Sequence, residues 1–551
     1  MKKTILSIIT FLAAVPICTA IAFASADDTL RVGLYYDGSG SNGALISANL
    51  ENYVGAGYQF GYYDAERNFV KLGETDETRI SMSQDLNLYV QSDGSYTTSA
   101  VNGVPVIGCH HLQLTQTFPS YDEASAKAEE LEHSFDMAFP VYDHGVFAVR
   151  VGSFLSAADA QEALQDAGLS AEVNSGSAYT VTVTKSCTDE ILFEYDDGGD
   201  TFLGVMPKAA SGEKAETWFK GYRYYGGFEY DRSAKLSGGR INVINVVDVE
   251  DYVKGVVPFE MSPSWPTEAL KAQAVCARTY ALCQSKHRSR NFDVCATTNC
   301  QVYHGSSGSH EGSDLAVDAT AGLKLYYDGK LIEPPYYSSN GGASENSENV
   351  WSAALPYLRG KQDPYENADL IPNYAYEKTY TGADLGARLR KRNFNIGTVI
   401  AVQPTYTEQG NILSIVFTDE AGNTAEVKKE ACRLMLGTPS MRFTISESTV
   451  SPSGDGTNRS LSGFFSSIGK VLHQPVKEIH QRSPLEQLLL EKSGAGTSDP
   501  SQTAAANVFV VRGTGSGHNV GMSQYGAYAY AKQGGTFEDI LHFYYTGVTI
   551  Q

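Results

Sequence analysis

The chain has 551 residues, of which 42 are Lys or Arg and 63 are Asp or Glu, giving a formal net charge of -21. An acidic surface repels phosphate backbones, so the composition excludes nucleic acid as a partner. At roughly 150 residues per domain, the length predicts several domains. The 53 glycines and 34 tyrosines favour β-rich structure with many turns.

The first 26 residues are typical of an export signal. Lys2 and Lys3 precede a nearly uninterrupted apolar run, and Ala24-Ser25-Ala26 is a small-residue cleavage site. The apolar run is also about long enough to span a bilayer, so a retained N-terminal membrane anchor is the alternative. Both interpretations place the bulk of the chain outside the cytoplasm.

Residues 27–117 alternate between apolar and polar side chains in short runs, as in Leu30–Tyr36. Gly, Asn and Asp separate the runs. This pattern predicts a β-rich N-terminal region of short strands and hairpins, without visible chemistry.

Residues 118–186 predict a small α/β unit in the order helix, strand, helix, strand. The predicted elements are Tyr121–Glu132, Val146–Phe154, Ala157–Ala167 (ended by Gly168) and Tyr179–Thr184. The stretch VRVGSF followed by DAQEAL resembles a sporulation-related repeat (SPOR) domain. That resemblance implies binding to glycan strands stripped of their peptides, and the alternative is a generic small α/β domain.

Residues 187–445 predict the main domain. A strand over Arg240–Val247 leads to Asp248, which is a good N-cap for a helix through Val257. Pro266 suits the first turn of a second helix that runs to about Lys286. One face of this helix carries a core-facing stripe formed by Leu270, Ala274, Ala277 and Ala281.

Residues 446–506 are rich in Ser, Gly and Thr, which predicts a flexible insertion around a short amphipathic stretch at Pro484–Glu491. Residues 507–551 then complete the main domain with a strand over Val508–Arg512 and helices over Ser523–Lys532 and Phe537–Tyr545. The predicted fold class is therefore α+β and multidomain, with a mixed α/β catalytic domain that carries a substrate groove.

Glu260 is the candidate acid/base. We expect it in a short connection between two helices, stiffened by Pro258 and Pro263. The apolar neighbours expected around the carboxyl are Phe259, Met261 and Trp265. Such surroundings raise the pKa of a carboxyl group, as a general acid near neutral pH requires. The alternative is a surface glutamate beside a helix terminus.

Two later segments contain candidate substrate-binding residues. Glycines in the segment YYSSNGGASENSENVW let backbone approach a ligand closely, and its Trp351 offers a flat face for a sugar. Glu345 is the reserve candidate for the acid/base. The segment GTGSGHNVGMSQYGAYAYAKQG predicts a tight turn that brings polar side chains to the groove. The complete predicted set is Ser338, Ser339, Gly341, Gly342, Glu345, Trp351, His518 and Gln524.

Cys295 and Cys300 lie between His287 and His304, and these are residue types that hold zinc. The spacing is not that of a standard zinc finger. Zinc held by His287, Cys295 and Cys300, a Cys295–Cys300 disulfide, and two free thiols all remain open.

The segment YVKGVVPFEMSPSWPTEALKAQAVCARTYAL, together with the two later segments, resembles the stage II sporulation protein D / amidase enhancer family. The resemblance implies a lytic transglycosylase of peptidoglycan whose catalytic glutamate is that of the pair Glu260-Met261. It also implies zinc near the active site, a cell-wall amidase as partner, and a role in sporulation and engulfment. Because some members are described as amidase enhancers, a non-catalytic, glycan-binding activator of an amidase is the alternative.

Overall fold

The computed structural model describes residues 29–40, 42–210, 212–232, 240–449 and 507–551. These residues form a mixed α and β structure with several sheets, which confirms the predicted α+β class. The strands are, in chain order, β1 (Thr29–Tyr35), β2 (Ser47–Val54), β3 (Tyr58–Tyr63), β4 (Phe69–Thr75), β5 (Arg79–Gln84), β6 (Leu88–Val90), β7 (Tyr96–Thr97), β8 (Val106–Ile107), β9 (His110–Leu114), β10 (Ala138–Asp143), β11 (Val146–Phe154), β12 (Ala171–Ser175), β13 (Val181–Lys185), β14 (Ile191–Asp196), β15 (Leu203–Pro207), β16 (Glu216–Phe219), β17 (Tyr222–Tyr224), β18 (Gly227–Asp231), β19 (Asn242–Asp248), β20 (Val294–Cys295), β21 (Leu325–Tyr327), β22 (Lys330–Leu331), β23 (Tyr336–Tyr337), β24 (Ala375–Thr381), β25 (Val399–Tyr406), β26 (Ile412–Asp419), β27 (Thr424–Lys428), β28 (Phe443–Thr449), β29 (Asn507–Thr514), β30 (Met522–Ser523) and β31 (Thr549–Ile550).

The helices are α1 (Tyr121–Glu132), α2 (Ala157–Ala167), α3 (Val249–Glu260), α4 (Thr267–Cys283), α5 (Glu311–Asp318), α6 (Ser347–Val350), α7 (Gly382–Arg390), α8 (Glu430–Leu436), α9 (Gln524–Lys532) and α10 (Phe537–Tyr544). The ends of α1 and α2 follow from local signals. Ser120 and Ser156 accept hydrogen bonds from the first turns of α1 and α2. Gly168 ends α2 with a φ of 64°, a left-handed conformation that glycine adopts without strain.

The described residues divide into two compact units. The first unit holds the residues up to Tyr336, residues 356–358 and residues 521–551. The second unit holds Tyr337–Leu355 and the described residues from Arg359 to Val520.

Two large sheets organise the first unit. One has the strand order β20-β1-β19-β18-β15-β3-β4, and the other has the order β12-β9-β11-β10-β14-β13-β5-β2-β16-β17. Strands from the predicted SPOR-like region, β10 to β13, therefore share a sheet with strands from both flanking regions. The SPOR resemblance and the predicted domain boundaries stay predictions.

Strand β1 pairs antiparallel with β19, with Thr29 opposite Asp248, and parallel with β20, with Val32 opposite Val294. Strand β19 is buried along nearly its whole length, as a Val- and Ile-rich central strand requires. It feeds directly into α3, so the sheet fixes the start of the helix that carries Glu260.

Asp248 caps α3 as predicted, because its carboxylate accepts hydrogen bonds from the backbone N–H groups of Glu250 and Asp251. The helix does not stop at Val257, however. It continues through Pro258 to Glu260, so the prediction that Glu260 lies in a connection between helices is wrong. Proline costs a helix one backbone hydrogen bond, and within the last turn this cost is small enough for the helix to persist.

Helix α4 begins after Pro266 and ends at Cys283, three residues short of the predicted end. All four residues of the predicted stripe are buried: Leu270, Ala274, Ala277 and Ala281. The small side chains let α4 pack closely against α3, α5, α9 and α10.

The second unit is built from two three-stranded sheets, β24-β29-β28 and β25-β26-β27, with α7 and α8 packed on them. Its core includes Leu385, Leu389, Ile415, Phe417 and Phe509. Residues 446–449, which we expected in the flexible insertion, belong to β28. The rest of the predicted insertion, including Pro484–Glu491, lies outside the described residues.

Residues 1–28 also lie outside the described residues, so the export signal or anchor stays a prediction. Within the part of the chain that the structure describes, no helix has both the length and the apolar character needed to cross a bilayer.

Candidate active site

Glu260 is the last residue of α3, and its carboxyl group is partly buried within the first unit. Burial raises the pKa of Glu260, because desolvation disfavours the charged carboxylate. Hydrogen bonds from Gln524 and Tyr336 act in the opposite direction and lower that pKa. The Nε2 atom of Gln524 donates to Oε2 of Glu260 over 3.3 Å. The net effect is a carboxyl group that keeps its proton to higher pH than an exposed glutamate does.

Neutral polar side chains form a hydrogen-bonded series that leads away from this carboxyl group. The Tyr336 hydroxyl accepts a hydrogen bond from Nε2 of Gln301 over 3.0 Å. Oε1 of Gln301 in turn accepts from the Tyr252 hydroxyl over 2.9 Å. Because Tyr252 is fully buried in α3, this network ties the orientation of the Tyr336 hydroxyl to the helix that carries Glu260.

A second amide lies beside Gln524. The side chain of Gln273 in α4 is fully buried, and its Oε1 accepts from Gln524 over 3.5 Å. Its Nε2 has no hydrogen-bond partner among the described residues. Buried amides normally find a partner, so this unused donor is an exception within the network around Glu260.

The three predicted apolar neighbours of Glu260 differ in solvent exposure and in the residues that they contact. Met261 is buried, whereas Phe259 is 43% exposed. Trp265 packs against the rings of Tyr525 and Tyr528, with centroid distances of 5.0 and 4.9 Å. Phe259 therefore contributes a partly exposed ring next to Glu260 in the chain, whereas Met261 contributes a buried side chain.

This arrangement offers one titratable carboxyl group. Burial and two hydrogen bonds from neutral groups account for the pKa of Glu260, and no second carboxylate contributes to its shift among the described residues. Glycoside hydrolysis normally uses two carboxyl groups, one of which activates water or attacks the sugar. The geometry suits a reaction in which a single group serves as acid and then as base.

The structure brings together the three predicted metal ligands, His287, Cys295 and Cys300, whose ligand atoms lie within 4.8 Å of one another. Nδ1 of His287 is buried without a hydrogen-bond partner. Cys295 and Cys300 are free thiols. The hydrogen bond between the two thiols lowers the pKa of Cys295 and raises that of Cys300. Two sulfurs and an unused imidazole nitrogen fit the donor set that zinc prefers.

His304, which the sequence placed near these ligands, has other neighbours. Its ring stacks on Tyr222 at 4.1 Å and meets Phe259 at 4.8 Å. The described ligand group therefore consists of His287 and the two cysteines, without His304.

The predicted substrate loop lies in the second unit, and one carboxylate accepts several hydrogen bonds from it. Glu366 accepts hydrogen bonds from Oγ of Ser339 and from the backbone N–H groups of Asn340 and Gly341. Gly341 has a φ of 71°, and a Cβ there would lie 2.6 Å from the Thr514 carbonyl oxygen. Gly342 also has a positive φ, and Ser338 is partly buried. These hydrogen bonds and the two positive-φ glycines together define the backbone conformation of the loop.

Glu345 is 1% exposed, and both of its carboxylate oxygens are occupied. Oε1 accepts from the Asn346 backbone and from Nδ2 of Asn349, each over 2.8 Å. Oε2 accepts from Thr407 over 2.6 Å and from Asn411 over 2.9 Å. Four donors occupy the acceptor positions of the two carboxylate oxygens, so none is left to accept a proton from a substrate. The geometry therefore favours a structural role for Glu345.

His518 and Trp351 lie side by side in the second unit, with ring centroids 5.1 Å apart. The His518 ring also meets Tyr337 at 5.0 Å. Nε1 of Trp351 donates to Glu430 over 3.1 Å, and both rings stay partly exposed. This pairing was not anticipated, although each residue was a candidate separately.

Gln524 is the predicted binding residue that the structure places against Glu260. Sequence reasoning missed Tyr336, Gln301, Gln273 and Tyr252. Tyr336 opens the second of the three sequence segments, and Gln301 follows Cys300 directly, so each adjoins a recognised motif. The remaining candidates lie in the second unit and stay predictions as substrate-binding residues.

The family profile for stage II sporulation protein matches residues 237–327, which include α3, Glu260 and the cysteine cluster. An uncharacterized protein of Brachyspira hyodysenteriae is 33% identical over 310 residues, covering 56% of this chain and 68% of the relative. The amidase enhancer of Bacillus subtilis is 29% identical over 315 residues, covering 54% of this chain and 40% of the enhancer. Stage II sporulation protein D of the same organism is 27% identical over 326 residues, covering 55% of this chain and 74% of that protein. The chain belongs to the stage II sporulation protein D / amidase enhancer family.

Proposed function

We propose that this protein is a lytic transglycosylase that cleaves peptidoglycan glycan strands, with Glu260 as both general acid and general base. The observation that carries the proposal is the partly buried Glu260 carboxyl, whose pKa is raised by burial and whose hydrogen-bond partners are neutral. The preferred substrate is a strand stripped of its peptides, as the SPOR-like segment suggests.

The proposed reaction consumes no water, and its atoms and protons balance within the substrate and Glu260. Protonated Glu260 donates its proton to the glycosidic oxygen between N-acetylmuramic acid and N-acetylglucosamine, and the bond from that oxygen to C1 of the muramic residue breaks. The Glu260 carboxylate then removes the proton from the C6 hydroxyl of the same muramic residue. That oxygen forms the new bond to C1, which leaves a 1,6-anhydro end and returns Glu260 to its protonated form.

The burial and the hydrogen-bond partners of Glu260 suit different stages of this cycle. Burial keeps the carboxyl protonated for the first stage. Gln524 and Tyr336 stabilise the carboxylate that exists between the stages, because hydrogen bonds to the charged form favour it. Both donors are neutral, so they do not compete with the general acid for the leaving group.

His287, Cys295 and Cys300 would hold a zinc ion if the protein binds one. When bound, zinc would supply a cross-link between the end of α4 and the segment that follows. That segment leads directly into Gln301, whose amide donates to Tyr336. The ligand residues would thereby position the hydrogen-bond network behind Glu260.

The alternative function is a glycan-binding activator of a cell-wall amidase, without catalysis. The observation that favours it is the relative named amidase enhancer. In either case we propose export, action at the cell wall and an amidase as partner. The relatives named stage II sporulation protein D suggest a role in sporulation.

The decisive experiment treats denuded glycan strands with the purified protein and with Glu260→Gln, and identifies products by mass spectrometry. Glu311→Gln, which changes an exposed carboxylate of α5, is the matched control. Anhydro-muramic ends from the wild type and the control, with a loss of about 100- to 10,000-fold for Glu260→Gln, support the proposal.

Two other outcomes would contradict it. Equal product from wild type and Glu260→Gln would move the catalytic role to another residue. An absence of product from the wild type, combined with stimulation of an amidase that survives in Glu260→Gln, would favour the activator.

A further inference from the structure

Three aromatic rings form a continuous cluster that starts at the residue before Glu260. Phe259 meets the His304 ring edge-on, with centroids 4.8 Å apart and planes at 82°. His304 stacks face to face on Tyr222, at 4.1 Å and 12°. We call Phe259, His304 and Tyr222 the aromatic ladder. All three residues lie in the first unit, with Glu260.

The outer members of the aromatic ladder face solvent. Phe259 is 43% exposed and Tyr222 is 37% exposed. Single exposed apolar residues are ordinary, but contiguous exposed rings beside a functional group indicate a binding surface. Burial lowers the pKa of the middle ring, His304, because desolvation favours the uncharged imidazole. The ladder therefore presents neutral, flat faces to a ligand.

The backbone holds the aromatic ladder in place before any ligand arrives. Arg223 forms a bridge with Gly305, and its backbone N–H donates to Oγ of Ser307 over 2.7 Å. These contacts fix the segment that carries His304 against β17. A Cβ at Gly308 would lie 2.4 Å from the Phe259 ring, so this glycine makes space for the ring. A pre-organised surface binds with less loss of entropy than a mobile one.

We infer that the aromatic ladder is a sugar-binding subsite that holds the glycan strand next to the bond that Glu260 cleaves. This inference rests on the proposed function and adds the residues that bind the uncleaved part of the strand. One face of a pyranose ring presents C–H bonds, which pack on the electron-rich face of an aromatic ring. Hydroxyl and N-acetyl groups at the edge of the sugar remain free to bind water or polar side chains.

The position of the ladder identifies its occupant. Phe259 and Glu260 are consecutive residues in the last turn of α3, so the ladder begins one residue from the proposed acid, and the polymer bound at Glu260 is the ligand that can extend along it. The Phe259 ring stands nearly perpendicular to the His304 ring, and Tyr222 lies nearly parallel to His304. The planes of the Phe259 and Tyr222 rings are therefore steeply inclined to each other, so the two rings offer differently oriented contacts to one bound strand.

The hairpin that carries Tyr222 supplies a matched control. In the pairing of β16 with β17, Phe219 is opposite Tyr222 and Trp218 is opposite Arg223. Cross-strand partners share a face and neighbours alternate, so Trp218 points to the face opposite Tyr222. Trp218 is 41% exposed, close to the exposure of Tyr222, but it contacts Tyr53 rather than the ladder.

The test measures binding of denuded glycan fragments to Glu260→Gln protein, so that cleavage cannot alter the ligand. We expect Tyr222→Ala and Phe259→Ala each to weaken binding about three- to tenfold, the effect of one lost ring contact. Trp218→Ala should bind like its parent. Tyr222→Phe keeps the ring and should restore binding, which separates stacking from a folding defect.

The same substitutions in active protein should raise KM and leave kcat within about twofold, because the ladder binds substrate and product-forming states alike. Unchanged binding and unchanged KM in both alanine variants, with an active wild type, would overturn the subsite alone. Equal weakening by Trp218→Ala would overturn it as well. A wild type that binds glycan but never cleaves it would instead overturn the proposed function.

Discussion

Gln524 donates a hydrogen bond to Glu260 over 3.3 Å, although 264 residues separate the two along the chain. The contact joins the first residue of α9 to the last residue of α3. Because the amide stabilises only the charged carboxylate, its removal in Gln524→Leu should raise the pKa of Glu260 further. Acid catalysis is lost as pH rises through that pKa, so the alkaline limb of the pH–rate profile should move to higher pH.

Tyr336→Phe removes the second donor and should move the same limb in the same direction. The measurement is the pH dependence of anhydro-product formation for the wild type and both variants. A shift of the limb to lower pH in either variant would mean that the donor destabilises the carboxylate, against the geometry described above.

Glu345→Gln tests the reserve acid/base. The carboxylate accepts four hydrogen bonds, and the NH2 group of glutamine would face two of those donors. We expect a loss of about 1–3 kcal/mol in the free energy of unfolding, measured by urea denaturation, with product formation retained by the folded protein. A fully stable Glu345→Gln protein without activity would assign chemistry to Glu345 instead.

Arg278→Ala should be among the most damaging substitutions in the first unit. Arg278 is fully buried in α4 and pairs with both carboxylate oxygens of Glu250, at 2.7 and 2.6 Å. Truncation leaves the partner carboxylate without its counter-ion, which costs about 3–5 kcal/mol in the free energy of unfolding. The exposed pair of Arg512 with Glu377 is the comparison, and Glu377→Gln should cost less than about 1 kcal/mol.

The cysteine cluster predicts one metal ion per chain. Elemental analysis of protein purified without chelator should find about one equivalent of zinc, and the Cys300→Ser and His287→Ala variants should lose most of it. Removing the metal should lower the thermal midpoint, because the ligands would no longer be cross-linked. Metal-free protein in which Cys295 and Cys300 form a disulfide would contradict this prediction.

Local signals in the sequence were enough to place most helices. Ser120, Ser156 and Asp248 are caps whose effect extends over a few residues, and the helices that they begin start where we predicted. The end of α3 was misplaced because Pro258 reads as a helix terminator, although a proline in the last turn removes only one backbone hydrogen bond.

The surroundings of Glu260 could be predicted only in part. The motif singled out the carboxyl itself, and Gln524 was a candidate from the third segment. Tyr336, Gln301 and Gln273 belong to other elements, and their convergence depends on how α3, α4 and the following segments pack. The spacing of residues along the sequence does not reveal contacts between such distant segments. The aromatic ladder was missed for the same reason, because Tyr222 and His304 come from separate segments.

The placement of β1 between β19 and β20 has a consequence for how the protein acquires its structure. Thr29 cannot pair with Asp248, nor Val32 with Val294, until more than two hundred later residues have been synthesised. Contacts of such high sequence separation slow folding, because the long intervening loop must close before they form. The first strand can therefore join the sheet only late in folding, and β19, which leads into α3, gains its pairing with β1 at that stage.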